Sequence, residues 1–352
     1  MLQNYFKDIE PFSLNKDEKY SFFIKEINLL NQYHYKNSYE YKRIINSLKY
    51  KLISKNLTEI PFIPVRLFKE FNLLSVSRKN VFKVLQSSGT SGSLQSKIYL
   101  DRENAKNQTQ VLSKILSTII GLKRLPMLII DQNPKTNDKN VLSAKSAAIN
   151  GFSVFGRNHT FLLNQTNEVD YDLLNNFLEN FGNDKFLLFG FTSSVYENLY
   201  KKLSIKKCNK SFSNGILLHG GGWKKMENIK VNNLDFKKGL KKKINLKNIY
   251  NYYGLVEQIG SIFFECEKCS CFITSIFSEV IVRDKFLNVA KKGEKGFLQL
   301  LSLLPKSYPG HSILTEDIGE IVNNDCSCKK FGTRFLVHGR SVKSEVRGCS
   351  DV

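Results

Sequence analysis

The chain has 352 residues, 41% hydrophobic and 24% charged, enough for a substantial core in two or three substructures. It contains no secretory leader core and no run of 18 or more apolar residues, which excludes a membrane-spanning helix and makes a cytoplasmic protein the expectation. The net charge of +21, 53 basic against 32 acidic residues, would suit an acidic partner, but the lysines are dispersed among asparagines and no nucleic-acid motif accompanies them.

Residues 16–50 carry Lys, Glu, Tyr, Leu and Ile at helical spacing and predict two amphipathic helices. They lead into Pro61-Phe62-Ile63-Pro64-Val65-Arg66-Leu67-Phe68, where the prolines forbid a continuous helix and an extended lead-in is expected. Two apolar runs, Val81–Leu85 and Ile98–Leu100, then flank Ser87-Ser88-Gly89-Thr90-Ser91-Gly92-Ser93-Leu94-Gln95-Ser96-Lys97. Hydroxyls and glycines there can turn backbone N–H groups onto an anion, and Lys97 adds a point charge; the other reading is a plain Ser/Gly hairpin loop. No Gly-Lys-Ser/Thr closes the segment, and it is not a Gly-x-Ser-x-Gly elbow.

Asp101 is placed to cap a helix running to about residue 119. Leu125–Ile130 reads as a buried strand ending at Asp131, and the small residues Ser143–Ala148 as a helix. Phe186–Phe189 is the next strand, followed by Gly190-Phe191-Thr192-Ser193-Ser194 and a helix to about Leu203. Ile216–Leu218 runs into His219-Gly220-Gly221-Gly222-Trp223, and Asn248–Tyr253 into Gly254. Between them Lys237, Lys238 and Lys241–Lys243 lie on a helical segment after Val231 and read as a solvated face.

Short apolar strands alternating with helices predict an α/β fold with mostly parallel sheets. Ligands in such sheets sit at the carboxyl ends of strands, where the loops after residues 86, 189 and 218 are expected to lie. From residue 261 the pattern changes to short strands, Ser261–Phe264, Glu279–Val282 and Phe297–Leu303, and predicts a smaller β-rich subdomain. The expected division is a helical segment over 1–60, an α/β core over 61–260 and the β-rich part over 261–352.

Of seven cysteines, Cys208 and Cys349 stand apart, while Cys266, Cys269, Cys271, Cys326 and Cys328 form two clusters. In a cytosolic chain that clustering favours metal over disulfide. Five thiols compete for four tetrahedral positions, with Cys269 and Cys271 alternatives for one of them, and the metal expected is a structural Zn2+.

Taken in order, Ser87–Lys97, His219–Gly222, Tyr252-Tyr253-Gly254-Leu255-Val256-Glu257, Thr315-Glu316-Asp317-Ile318-Gly319 and Gly339-Arg340 resemble the motifs of adenylate-forming enzymes. Together with Pro61–Phe68, Ser307-Tyr308-Pro309-Gly310-His311-Ser312 and the ending Glu345–Asp351, they resemble the acyl-protein synthetase family of the LuxE type, related to phenylacetate-CoA ligases. The resemblance implies an N-terminal-type adenylate-forming domain whose residues 61–260 bind the nucleotide. It also implies that Ser87, Ser88, Gly89, Thr90, Ser91, Gly92 and Lys97 hold the β- and γ-phosphates of ATP. His219, Gly220, Gly221 and Gly222 would line the adenine pocket, Tyr253 beside Gly254 would stack on the base, Asp317 and Arg340 would hold the ribose, and Glu257 would bind Mg2+.

The implied reaction is activation of a carboxylic acid, in this family a fatty acid, as an acyl-adenylate, and its transfer to a protein cysteine. The implied acceptor is Cys349; CoA is the alternative acceptor, a reductase or transferase the implied partner, and a non-catalytic nucleotide-binding zinc scaffold the alternative role. The chain departs from the wider pattern in three ways. Val256 replaces the threonine of Tyr-Gly-x-Thr-Glu, the mobile domain with its catalytic lysine is expected to be lacking, so that Lys343 or a partner would have to supply that charge, and the first cysteine cluster has no histidine.

Overall fold

The computed structural model describes residues 9–87, 94–133, 141–223, 231–323 and 326–341. In chain order these form α1 (Lys16–Asn37), α2 (Tyr39–Ser47), β1 (Ile63–Pro64), α3 (Leu67–Glu70), β2 (Lys83–Gln86), β3 (Lys97–Leu100), α4 (Arg102–Ile120) and β4 (Leu125–Gln132). There follow β5 (Val141–Ser143), α5 (Ala144–Ser153), β6 (Gly156–Leu163), α6 (Tyr171–Phe181), β7 (Phe186–Phe191), α7 (Thr192–Val195), β8 (Gly215–Gly220), α8 (Asn233–Ile244) and β9 (Asn248–Tyr253). The last strands are β10 (Phe263–Glu265), β11 (Phe272–Ile273), β12 (Ser278–Arg283), β13 (Gly296–Ser302), β14 (Ser312–Ile321) and β15 (Arg334–Arg340). The chain divides into two compact units: residues 1–119, 140–142 and 254–345, and residues 120–139, 143–253 and 346–352.

The second unit is a parallel sheet in the order β9-β8-β7-β4-β6. Its centre is explained by sequence, since Met127, Leu128, Ile129 and Ile130 are at most 1% exposed and strands buried on both faces read as continuous apolar runs. From β4 the chain moves one way to β6 and the other way to β7, β8 and β9, so the strand order reverses beside the end of β4. Ser194 marks that edge, donating from Oγ to the Ile130 carbonyl at 2.7 Å, and Lys145 pairs with the buried Asp131 at 2.9 Å. α8 buries Phe236, Leu240 and Ile244 and leaves Lys238, Lys241 and Lys242 exposed, as a solvated face should. Beyond α7 the expected helix to Leu203 is a π-helix over Tyr196–Lys202.

In the first unit β10–β15 form an antiparallel sheet in the order β12-β13-β14-β15-β11-β10, with β1 added parallel to β14. α1 starts at a capping box in which the Asn15 side chain accepts from Glu18 N and the Glu18 carboxylate accepts from Asn15 N, each at 3.0 Å. Its buried side holds His34, whose Nδ1 is 2.7 Å from Ser75 Oγ and whose ring stacks on His311 at 4.6 Å. His311 Nε2 in turn lies 2.6 Å from Asn31 Oδ1.

One expectation is corrected here. The loop after residue 86 does not leave the end of a parallel strand: β2 and β3 pair antiparallel, Lys83 opposite Leu100 and Gln86 opposite Lys97. The ten residues between Gln86 and Lys97 are too few for a parallel crossover, which needs a dozen or more. The loops after β7 and β8 do sit at parallel-strand ends.

Candidate functional site

The neck of the Ser/Gly loop is closed by two hydrogen bonds. Ser87 N donates to the Ser96 carbonyl at 3.0 Å, and Ser96 N donates to Ser87 Oγ at 2.8 Å. They hold Ser87 at the end of β2 against Lys97, which opens β3 with its side chain exposed. Ser88, Gly89, Thr90, Ser91 and Gly92 lie outside the described residues.

Glu257, on a 3₁₀ turn over Val256–Gln258, is buried to 6% exposure. Burial pushes its carboxyl above the usual range, opposed by the neighbouring Ser96 hydroxyl and the charges of Arg340 and Lys69. Ser96 Oγ faces that carboxylate without reaching full hydrogen-bond geometry, and Gln108 Nε2 and Tyr308 OH face each other in the same way. A buried carboxyl among under-satisfied polar atoms is a strained arrangement for an apolar interior and a fitting one for a hydrated cation.

The Glu257 turn is held from behind by the Ser307–Ser312 segment. Gln258 Nε2 donates to the carbonyls of Leu300 at 3.0 Å and Gly310 at 2.8 Å. A Cβ on Gly310 would lie 2.3 Å from the Tyr308 ring and 2.6 Å from the Glu257 carbonyl, so only glycine lets these segments approach. The same segment is tied to α4 by Asn104, which is 1% exposed, and to β3 by Ser307. Asn104 Oδ1 accepts from Lys306 N at 2.6 Å and Ser307 N at 2.8 Å, while Ser307 Oγ donates to the Tyr99 carbonyl at 2.8 Å. Asn104 itself is placed by the predicted cap, its N–H donating to Asp101 Oδ1 at 2.7 Å. Ser96, Asn104, Gln108 and Tyr308 were not among the site residues predicted from sequence; Ser96 lay inside the Ser87–Lys97 string with no role of its own, Tyr308 lay in the Ser307–Ser312 string, which suggested a family and no role, and Asn104 and Gln108 carried no signal.

Asp317 and Arg340 face each other across β14 and β15, with Oδ1 and Nε 3.6 Å apart. Thr315 Oγ1 accepts from Asp317 N at 3.1 Å and fixes the bend at which the carboxylate stands.

In the second unit His219 is the last residue but one of β8, at 1% exposure. Thr192 Oγ1 lies 3.0 Å from His219 Nδ1 and donates to the Gly220 carbonyl at 3.1 Å, so His219 carries its proton on Nδ1. Burial pushes the imidazole pKa down to about 3, the nearby Lys237 adding to it, and the ring is neutral. Gly220 has no room for a side chain, because a Cβ would lie 2.6 Å from the Tyr252 carbonyl and 2.7 Å from its ring. Gly221 has φ +81° and its Cβ would meet the Phe191 ring at 2.8 Å. Gly222 continues the bare backbone at φ +69°, and Tyr253 closes β9 half-buried, followed by Gly254.

The cysteines gather in the first unit. The sulfurs of Cys266, Cys269 and Cys326 lie within 4.8 Å of one another, with Cys266 and Cys326 3.7 Å apart. Cys266 N donates to the Cys271 carbonyl at 2.8 Å, which sets Cys271 opposite Cys266 in the ladder, and the Cys271 thiol turns to the Cys269 carbonyl at 3.3 Å. Cys328 stands beside Cys266 and accepts from Arg334 Nη2 at 3.0 Å. Cys208 is remote in sequence and bonds to the Ser204 carbonyl. Cys349 and Lys343 lie outside the described residues.

Among known families, the one described as acyl-protein synthetase, LuxE, matches residues 2–352. No curated protein matches the chain. Among solved structures, it is similar to a 2-hydroxyisobutyryl-CoA ligase in the postadenylation state with R3-HIB-AMP, at TM-score 0.71 and 13% identity over 94% of this chain and 69% of that one. An open form of that ligase with 2-HIB-AMP and CoA gives TM-score 0.71 at 14% identity, over 94% of this chain and 76% of that one. ATP-bound MatB from Rhodopseudomonas palustris gives TM-score 0.50 at 13% identity, with 77% of this chain matched to 50% of MatB.

Proposed function

The chain belongs to the acyl-protein synthetase family of the LuxE type and has the adenylate-forming fold, an AMP-forming acid ligase by family, and on that premise we propose that it activates a fatty acid and passes the acyl group to a protein cysteine. The observation that carries the reading is the buried Glu257, set in one unit with Ser96, the neck of the Ser/Gly loop and the Asp317–Arg340 pair. Lys97 and the loop hydroxyls hold the pyrophosphate end of ATP, and Asp317 and Arg340 hold the ribose. His219–Gly222 and Tyr253 receive the adenine, a flat base that can lie on backbone only where side chains are missing.

The acid's carboxylate oxygen attacks the α-phosphorus, the bond to the bridging oxygen of pyrophosphate breaks, and acyl-adenylate and pyrophosphate result. Both reactants are anions, so Lys97 and the loop N–H groups offset charge as it builds on the leaving pyrophosphate. Glu257 is the residue to hold Mg2+, which when bound would neutralise phosphate oxygens, and its under-satisfied surroundings fit such an ion. A thiolate then attacks the acyl carbonyl and releases AMP. The acceptor thiol is Cys349, and a reductase or transferase takes the acyl group onward in the cytoplasm.

A CoA acceptor is the second reading, supported by the similar ligase whose structure holds CoA. Cys266, Cys269 and Cys326, whose sulfurs cluster, and Cys328, which stands beside Cys266 and Cys326, are the residues for a structural Zn2+, a four-thiolate set that leaves no open position.

The test is pyrophosphate release from ATP and Mg2+ across short, long and aromatic acids, followed by mass spectrometry of the chain. Release with long acids and an acyl adduct on Cys349 is expected. An adduct that survives Cys349→Ser, or acyl-CoA as the sole thioester, would displace the protein-acceptor reading. Full turnover in Lys97→Ala or Glu257→Gln would overturn the phosphate and metal assignments.

A further inference from the structure

The sulfur knot has a cation built against it. Arg334 opens β15 at 3% exposure, opposite Ile273 of β11, the strand that leaves the Cys266–Cys271 turn. Its Nη2 donates to Cys328 Sγ at 3.0 Å and to the Lys330 carbonyl at 2.9 Å. Burying a guanidinium is costly unless an anion stands beside it, and a neutral thiol is a weak acceptor that offsets little of that cost. The guanidinium also faces the Cys269 thiol and lies near Cys326, so it stands against the same sulfurs that would hold a metal as thiolates.

Charge leads to the same place from the ligand side. Four thiolates around one divalent cation leave a net charge of −2 on a half-buried turn, and such centres are steadied by N–H donors aimed at sulfur. The backbone N–H groups nearby serve the other sulfurs: those of Lys268 and Cys269 face Cys266, that of Cys271 faces Cys269, and that of Cys328 faces Cys326. A side chain is left to serve Cys328, which lies on the second sulfur-bearing segment.

Resting on the zinc reading above, we infer that Arg334 is the outer-shell cation of a four-thiolate metal site made by Cys266, Cys269, Cys326 and Cys328. It orients the Cys328 sulfur and offsets part of the site's negative charge; it does not touch the metal. Cys271 is outside the ligand set because its thiol is turned to the Cys269 carbonyl.

The full chain is purified and its zinc measured by elemental analysis, with one zinc per chain expected. Zinc release to a chromophoric chelator is then timed for the wild type, Arg334→Gln, Arg334→Lys and Cys271→Ser, and Co2+ is substituted to read the sulfur-to-metal charge-transfer band. Release should be about 10-fold faster or more in Arg334→Gln, a typical outer-shell loss. It should be intermediate in Arg334→Lys, which keeps the charge and gives a reading if the glutamine variant does not fold, and unchanged in Cys271→Ser, whose cobalt band should still have four-thiolate intensity. A wild type without zinc and without a cobalt–thiolate band overturns the site and Arg334's part in it. A loaded wild type whose release rate neither Arg334 variant changes overturns Arg334 alone. Acid-dependent pyrophosphate release is measured separately, so failure of the ligase reading is distinguished from both.

Discussion

Replacing Asn104 by alanine removes the acceptor that joins α4 to the Ser307–Ser312 segment behind Glu257. Two backbone N–H groups, of Lys306 and Ser307, lose their partner. Ser307 is fully buried, so water cannot replace the lost bond there, whereas the exposed Lys306 gives its N–H a partial alternative. At about 1–3 kcal/mol for each buried group left unpaired, the expected loss is about 2–4 kcal/mol, a large part of a typical stability of about 5–15 kcal/mol. Both bonds come from N–H donors, so the accepting atom is oxygen, and Asn104→Asp keeps it. The aspartate variant should therefore lose less than half of what alanine loses. Guanidinium denaturation of the three proteins, followed by far-UV circular dichroism, reads the ordering. Acid-dependent ATP–pyrophosphate exchange at varied Mg2+ reads the position of Glu257, and the alanine variant should need more Mg2+ for half-maximal exchange. An alanine variant within about 0.5 kcal/mol of wild type, the range of an ordinary surface change, would refute the reasoning.

The buried histidines predict acid sensitivity. Burial holds His34 at a pKa of about 3 and pushes His311 well down, with the neighbouring His34 adding to it. Both titrate near 6.5 when unfolded, so below that pH the unfolded chain binds protons the folded one does not, and stability falls by about 1.4 kcal/mol per pH unit per histidine. Denaturant midpoints at pH 7 and pH 5 should differ accordingly, and His34→Gln should flatten the slope by about one histidine; an unchanged slope would contradict the neutral pair. Gly220→Ala would push a methyl into the Tyr252 carbonyl and ring, so it should weaken adenine-nucleotide binding measured by calorimetry at least 10-fold, a cost of about 1.4 kcal/mol. Nucleotide affinity unchanged in that variant would remove Gly220 from the adenine assignment.

What was legible in the sequence was local. Asp101 as a cap, the apolar run of β4 and the cysteine clusters all carry their signal within a few residues. β6 escaped because Gly156–Leu163 lies at the sheet edge, next to β4 as its one neighbour among the described strands, and Arg157–His159 stay polar and exposed. Asn104 escaped for a different reason: in the first turn of a helix it reads as a surface residue, and its partners are 202 and 203 positions away. Spacing left Cys269 and Cys271 equal, and only the ladder bond from Cys266 to Cys271 turns one thiol inward and the other away. The antiparallel β2–β3 pair was open to derivation from loop length, yet alternating strands and helices elsewhere suggested a parallel end.

The central claim is attack of a carboxylate on the α-phosphorus, and isotope transfer tests it directly. With an acid labelled by 18O in both carboxyl oxygens, full turnover to thioester should place one 18O in the AMP phosphate and none in pyrophosphate. Label in inorganic phosphate with ADP as co-product, or unlabelled AMP formed alongside thioester, would contradict it.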